Sequence, residues 1–462
     1  DLVLVEQGAA VADDTGLDAT HRGMTPTVGE AADDIIRGGD DRSAPKAMTT
    51  TKRADDFGTL APLEPIRDEV AIVGVGEAPP TGRSDREPDE MSLAAIASAI
   101  ADAGLRPTEV DGLMMGPSGQ SGLTPQITAA AFHEHFGTSH DLWVSLEGGA
   151  FTWAGTAPHP AALALREGKA STIVNVYATD GATQMKAKSN RAYAAYHRED
   201  FFKSNLELCF GWYPQPAYFA AIARRHTIDF GTPPEALGAI AVACREHAVG
   251  HPDAVMKDRP LTMAQYLSRD PLFDPLRMED FCLVSDGAGA YVMVAAERAA
   301  DFPHAPVLVS AITYAESAAG TYWSQQEDFT ATPQVLSAPA AFEMAGVAPA
   351  DVDVLTLYDP FTIAALVQIE DMGFCEKGEG GAFVEDDRLS YRRARRTGSL
   401  PYNTHGGMLS HAYVHGIAHV IEVVRQLRGE AANQVPDARV GVYGGYTGGT
   451  ACTLVLTRGD AA

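Results

Sequence analysis

Cysteine is scarce: Cys209, Cys244, Cys282, Cys375 and Cys452 are spread widely over 462 residues. No Cys-x-x-Cys pair occurs, so neither a disulfide framework nor a thiolate metal site is signalled. A bilayer-spanning segment needs roughly eighteen consecutive apolar residues, and no such run exists. The N-terminus also lacks the basic-then-apolar order of a secretory signal, so a cytoplasmic protein is expected. Positive charge is in short supply: 35 Lys and Arg stand against 61 Asp and Glu, a formal net charge of −26. That balance argues against nucleic acid or an anionic membrane as the main partner. What is present is an ordinary globular composition, 45% hydrophobic and 21% charged, in a chain long enough for several domains or two related halves.

Residues 1–67 alternate acidic and Gly/Pro/Thr-rich pieces without a sustained period, and they are expected to form a disordered arm. Met48 lies inside it, so residues 1–47 are read as a possible upstream extension. Order is expected from Asp68: a strand over 70–76, a Gly/Pro/Arg loop, a helix over 92–104 and a strand over 110–115. Gly74 and Gly76 suggest a dinucleotide fingerprint, but the third glycine is missing and Pro79 and Pro80 follow, so that reading is rejected. A further strand covers 171–177. A long excursion, 183–275, holds helices at 217–230 and 234–250, where Arg224, Arg225 and His226 face solvent or meet a nucleotide phosphate. Asp286 to Ala290 reads as a turn feeding a strand. From residue 303 the scheme repeats: strands at 307–311, 352–357, 440–443 and 450–456, with helices at 338–345, 363–373 and 414–427. Residues 388–396 form a basic island, read as a solvated loop or as a dock for an acidic partner or phosphate.

The chemistry concentrates in residues 355–416. An apolar strand pattern delivers Tyr358 and Asp359, and a second block follows with Asn403, His405, Gly406, Gly407, His411, Tyr413 and His415. The paired glycines mark backbone that must turn tightly or approach a ligand closely.

The order of these blocks resembles the C-terminal half of the thiolase superfamily, in which a strand-end motif supplies an oxyanion-hole residue and an Asn-x-x-Gly-Gly loop leads to a catalytic histidine. Tyr358 stands where a degradative thiolase carries Asn or His, and Tyr413 where it carries the Gly-His-Pro histidine. That pair of tyrosines is similar to the lipid-transfer-protein-like steroid side-chain aldolases of actinobacteria. The similarity continues through residues 366–378 and 424–429. The resemblance implies an α/β protein with a thiolase-like duplicated αβαβα layered fold, an N-terminal half over 68–302 with loops covering coenzyme A at about 183–275, and a C-terminal half over 303–462. In the region matching the thiolase nucleophile, residues 143–153, no cysteine occurs, although Gly148 and Gly149 could still aim backbone N–H groups at a carbonyl oxygen. No cysteine precedes the Gly-rich turn at residues 444–449 that contains Gly445, and Cys452 reads as buried filler.

A site that holds a thioester but has exchanged its nucleophile for phenols suits a reaction through an enolate, of which retro-aldol cleavage of a β-hydroxyacyl-CoA is one. Ionising a phenol of pKa near 10 at neutral pH costs roughly 4 kcal/mol unless neighbours help. The catalytic candidates are Tyr358, Tyr413, Asp359, His405 and His415, with Gly148, Gly149, Gly406, Gly407 and Gly445 around the carbonyl. Which tyrosine is the base stays open. Three classes remain: an aldolase, a thiolase or acyltransferase using a thiol such as Cys375, and a noncatalytic acyl-CoA-binding subunit. The resemblance further implies no metal or other cofactor in this chain, and a homodimer flanked by two small OB-fold proteins with a zinc ribbon, together a heterotetramer.

Overall fold

Gly74 and Gly76 explain how the first layer closes. The computed structural model describes residues 57–84, 86–116, 127–147, 153–183, 203–212, 215–320, 323–394 and 398–459. Strand β2 (Val70–Thr81) packs against helix α1 (Pro88–Asp102), and a Cβ at either glycine would collide with the Ala99 backbone. The glycines therefore allow close helix–strand packing. β2 runs five residues further than its expected end, through Pro79 and Pro80 to Thr81, and its register shifts there, as strand prolines require. α1 starts at Pro88, where proline costs the first turn no hydrogen bond.

Order also begins before Asp68. Gly58–Leu60 (β1) pairs antiparallel with β7 (Val307–Ser317), and Ile66 is fully buried, because β7 would otherwise leave an unpaired edge there. The arm expected over 1–67 is corrected to that extent; residues 1–56 lie outside the described residues.

Besides β1, β2 and β7, the strands are β3 (Gly112–Met115), β4 (Trp143–Ser145), β5 (Thr172–Asp180), β6 (Asp286–Ala295), β8 (Val354–Leu357), β9 (Val440–Thr447) and β10 (Thr450–Arg458). Their order is β4-β3-β5-β6-β2-β7-β10-β9-β8. The first half, read outward from β2, goes β6, β5, β3; the second, read outward from β7, goes β10, β9, β8. In each the pairings are antiparallel, antiparallel, parallel. The halves are copies of one scheme, meeting where Ala71 and Ile72 pair with Leu308 and Val307.

Three apolar cores correspond to three helical layers. One lies under α1; one lies on the other outer face, with α4 (Gln215–Phe230), α5 (Pro234–Val249), α6 (Gln334–Ala345) and α7 (Thr362–Asp371). Between the two halves of the sheet lie α3 (Pro158–Arg166) and α8 (Ile417–Arg428), the latter touching strands of both halves. Helix α2 (Ala129–Phe136) buries Phe132 in the core under α1. This is the duplicated αβαβα arrangement; α8 is buried along nearly its whole length, while α3 buries Pro158, Ala161, Ala162 and Ala164 and leaves Arg166 exposed at its end. Asp286, expected in a turn, is the first residue of β6, and a Cβ at Gly289 within that strand would press on Ile417 and Ile421 of α8. Among the described residues no helix is long and apolar enough to cross a membrane.

Candidate active site

β8 ends because Asn403 replaces its next partner. The Asn403 side chain accepts from Leu357 N (2.9 Å) and donates to Leu357 O (3.1 Å), capping the last ladder position from outside the strand. Tyr358 N then donates to Gly444 O of β9 at 2.8 Å, so the residue after the strand is still held at the sheet. Asp359 follows, fully buried, and its Oδ1 accepts from Met408 N (2.8 Å) and from Nε2 of His419 (3.0 Å). The carboxylate thereby ties the end of β8 to the Gly-Gly loop and to α8. It is a positioning group, turned to the protein's own donors.

The loop is shaped around these contacts. Gly406 and Gly407 sit at φ +111 and +61, in the region that favours glycine. A Cβ at Gly407 would strike the Asp359 carboxylate, and one at Gly406 would meet Ala248 of α5 at 2.9 Å. The excursion of the first half thus packs directly on the loop; Arg245 Nε donates to Ser410 Oγ at 3.0 Å and His247 Nδ1 to Asn403 O at 3.2 Å. A segment just before β6 holds the other side: Cys282 N donates to Pro360 O (2.9 Å), Leu283 N to Met408 O (2.9 Å) and Tyr413 N to Ser285 Oγ (2.7 Å).

The outcome is that the two tyrosines meet, hydroxyl to hydroxyl, at 3.2 Å. Tyr358 is buried and Tyr413 half-buried. Burial, and after it the neighbouring Tyr413, pushes the Tyr358 phenol well above its ordinary value, so it stays protonated. His415 packs its ring edge-on against Tyr413, centroids 4.2 Å apart, and its Nδ1 is hydrogen-bonded to the hydroxyl of Tyr177 within β5. Burial holds His415 down at about 3, a neutral imidazole at neutral pH.

His405 goes elsewhere. Its ring lies against His419 (4.6 Å) and His411 (5.1 Å), and His411 against His251 (4.7 Å), in a buried layer behind the loop. Burial first, then these neighbours, keeps His405 well below the usual imidazole range, and neither ring nitrogen has a protein partner. Of the five catalytic candidates, the structure therefore brings together Tyr358, Tyr413 and His415, and sets Asp359 and His405 behind them. Gly148 and Gly149 lie outside the described residues. Gly445 is inside β9, opposite Cys452 and one position past the last β8 pair.

The thiols do not form an alternative centre. Burial pushes Cys282, Cys375 and Cys452 up to about 12, and Cys244 well above its ordinary value. Cys375 packs with the outer core, while Tyr358 and Tyr413 belong to the central one. Of the basic groups singled out in the sequence, Arg224 pairs with Asp274, Arg225 with Asp229, His226 with Glu370 and Arg392 with Glu246, and Arg388 lies over Phe383; Arg395 and Arg396 lie outside the described residues. Among the described residues no group of three or more His, Cys, Asp or Glu side chains is disposed to hold a metal ion. Tyr177, Ser285, Cys282 and His419 were missed by sequence reasoning. Only His419 carried a signal, standing four residues after His415 on a helical pattern.

A duplicated thiolase-type fold with two phenols in hydroxyl contact at the ends of its second-half loops defines the class. Residues 315–458 match the family described as thiolase C-terminal domain-like. A steroid side-chain-cleaving aldolase of Thermomonospora curvata is 32% identical over 392 residues, covering 84% of this chain and 97% of that protein. The 17-hydroxy-3-oxo-4-pregnene-20-carboxyl-CoA lyase of Mycobacterium tuberculosis is 32% identical over 376 residues, 80% and 94% of the two chains. The solved Ltp2-ChsH2(DUF35) aldolase superposes with a TM-score of 0.75 at 30% identity, covering 86% of this chain and 99% of its own. The chain belongs to the steroid side-chain-cleaving aldolases of the thiolase superfamily, and it is an enzyme of the carbon–carbon lyase type.

Proposed function

We propose that this protein cleaves a β-hydroxyacyl-CoA with a steroid side chain by a retro-aldol reaction, giving a ketone or aldehyde and a short acyl-CoA such as propionyl-CoA or acetyl-CoA. The observation that carries this reading is the hydroxyl contact of Tyr358 and Tyr413, 3.2 Å, in a site whose neighbouring thiol, Cys282, is held protonated. Tyr413, the more exposed phenol, reacts as its phenolate and takes the proton of the β-hydroxyl as the α–β bond breaks. The electron pair of that bond passes into the thioester as an enolate, and the α-carbon then takes the proton that Tyr413 received, which regenerates the phenolate, so that no proton is gained or lost overall. Tyr358, held neutral, donates to the Tyr413 oxygen and so stabilises the phenolate from which the reaction starts. Asp359 and His405 support the loop, and backbone N–H groups near Gly407 and Gly445 serve the thioester oxygen. No cofactor is assigned to this chain beyond the coenzyme A of the substrate. The protein works as a homodimer with two small OB-fold, zinc-ribbon partners; the relative solved with a DUF35 protein supports the presence of a partner in this reading.

The test is a direct product assay. Purified protein, with and without such a partner, is given a β-hydroxyacyl-CoA, and the short acyl-CoA and carbonyl product are followed together. Equal amounts of both are expected, with no acetyl transfer from acetyl-CoA to an acceptor. Transfer that disappears in Cys375→Ala would restore the thiolase alternative.

A further inference from the structure

Tyr177 comes from the first half, yet its hydroxyl ends on a loop of the second, at Nδ1 of His415, 238 positions along the chain. It is 2% exposed, and His415 Nδ1 is its hydrogen-bond partner among the described residues. A buried phenol has one proton to give and loses free energy if that proton finds no acceptor. The Tyr177 O–H therefore donates to Nδ1, and a neutral imidazole that accepts at Nδ1 carries its proton on Nε2. His415 is also held in a backbone conformation that its side chain disfavours, φ +45. It is followed by Gly416 at φ +92, where a Cβ would collide with the Tyr443 hydroxyl. Backbone of this kind persists only where surrounding contacts over-determine it. The Tyr177 bond is one such contact, and the edge-on packing of the His415 ring on Tyr413 is another.

We propose that Tyr177 is a positioning residue of the reaction centre: it locks His415 as the neutral, Nε2-protonated tautomer and so keeps a hydrogen-bond donor, not a base, beside Tyr413. A neutral imidazole in this form stabilises negative charge developing nearby without competing for the substrate proton. This rests on the retro-aldol reading of the Tyr358–Tyr413 pair and adds a residue that the thiolase-type motifs do not contain. It also gives the contact between the halves a chemical role, because the tautomer of a second-half histidine is set from a first-half strand.

The experiment combines kinetics with histidine tautomer spectroscopy on the full chain. In Tyr177→Phe the ring remains and the hydroxyl is lost; kcat is expected to fall about ten- to a hundredfold with KM little changed, the size of effect that misplacing a reacting group produces. Two-bond proton–nitrogen correlation on protein labelled with ¹⁵N-histidine, with the His415 signals identified by their loss in His415→Gln, is expected to show the Nε2–H form in the parent and a mixture in Tyr177→Phe. In the His415→Gln background, Tyr177→Phe is expected to have no further effect on kcat, since Tyr177 acts through His415. Independent, multiplying losses overturn the proposal, as does an unchanged tautomer in Tyr177→Phe. Should Tyr177→Phe not fold, the His415→Gln and His415→Asn pair decides: Gln, which reaches the place of Nε2–H, retains more activity than Asn, and the reverse order overturns the assignment. Parent protein inert toward every β-hydroxyacyl-CoA would sink the proposed function instead, and the tautomer comparison would then decide the Tyr177 assignment alone.

Discussion

Tyr358 and Tyr413 differ in what surrounds them, and the division of work proposed for them rests on that difference. Phe at either position keeps the ring's packing and deletes the hydroxyl, so melting temperature should hardly move while kcat falls by roughly a hundred- to ten-thousandfold, the usual worth of an acid or base. Steady-state kinetics with an authentic substrate check this, and parent-like turnover in both variants would refute the pair. The buried histidines give a stability prediction. Burial holds His411 and His415 at about 3, below the ordinary value of 6.5, so the unfolded chain binds protons that the folded one does not. Stability from these residues is complete above pH 6.5 and is lost as pH falls toward about 3, by up to about 1.4 kcal/mol per pH unit for each histidine. His411→Leu should move the acid-unfolding midpoint to lower pH, as followed by circular dichroism; a midpoint unmoved or raised would contradict it.

At the scale of elements, the site is two loops locked together by one amide and one carboxylate. Asn403 caps β8, Asp359 ties the strand end to Met408 and His419, and Gly407 leaves the room in which the carboxylate sits. Gly407→Ala meets a positive φ and a collision with Asp359 at once, so a loss of about 2 to 4 kcal/mol is expected. A denaturant titration measures it, and a change below about 0.5 kcal/mol, the usual range at an unconstrained surface position, would show that the loop relaxes freely. The paired glycines were legible in the sequence because their spacing after Asn403 is local. The partner that made Gly407 necessary was not, since Asp359 lies 48 positions earlier.

Across the whole molecule, the site stands where the two copies of one strand scheme face each other over α8. Residues 282–285 from the first half hold both tyrosine loops of the second through the Pro360, Met408 and Tyr413 contacts. The Cys375 thiol, by contrast, packs in the outer core, so Cys375→Ala should keep most of its turnover with the product ratio unchanged. A large loss in a folded variant would revive acyl-enzyme chemistry. For the proposed assembly, sedimentation of the protein mixed with its small partner should show a heteromer larger than a dimer, with activity following that species; a stable, fully active monomer would refute it.

Local pattern determined a good deal of this protein. The alternation of strands with helices, the doubled scheme, the loss of the thiolase cysteines and the two tyrosines can all be read from residues near one another in the chain. Tertiary structure alone decided what each polar group faces. Asp359 and His405 read as catalytic because they adjoin the motif, but the direction of a side chain follows from the strand pleat and the packing behind it, not from sequence distance. Asp359 turned to His419 and Met408, His405 to a layer of other histidines, and Tyr177 crossed from the first half to meet His415. These contacts span many positions, because burial leaves each of these groups only the partners that the packed sheets bring within reach.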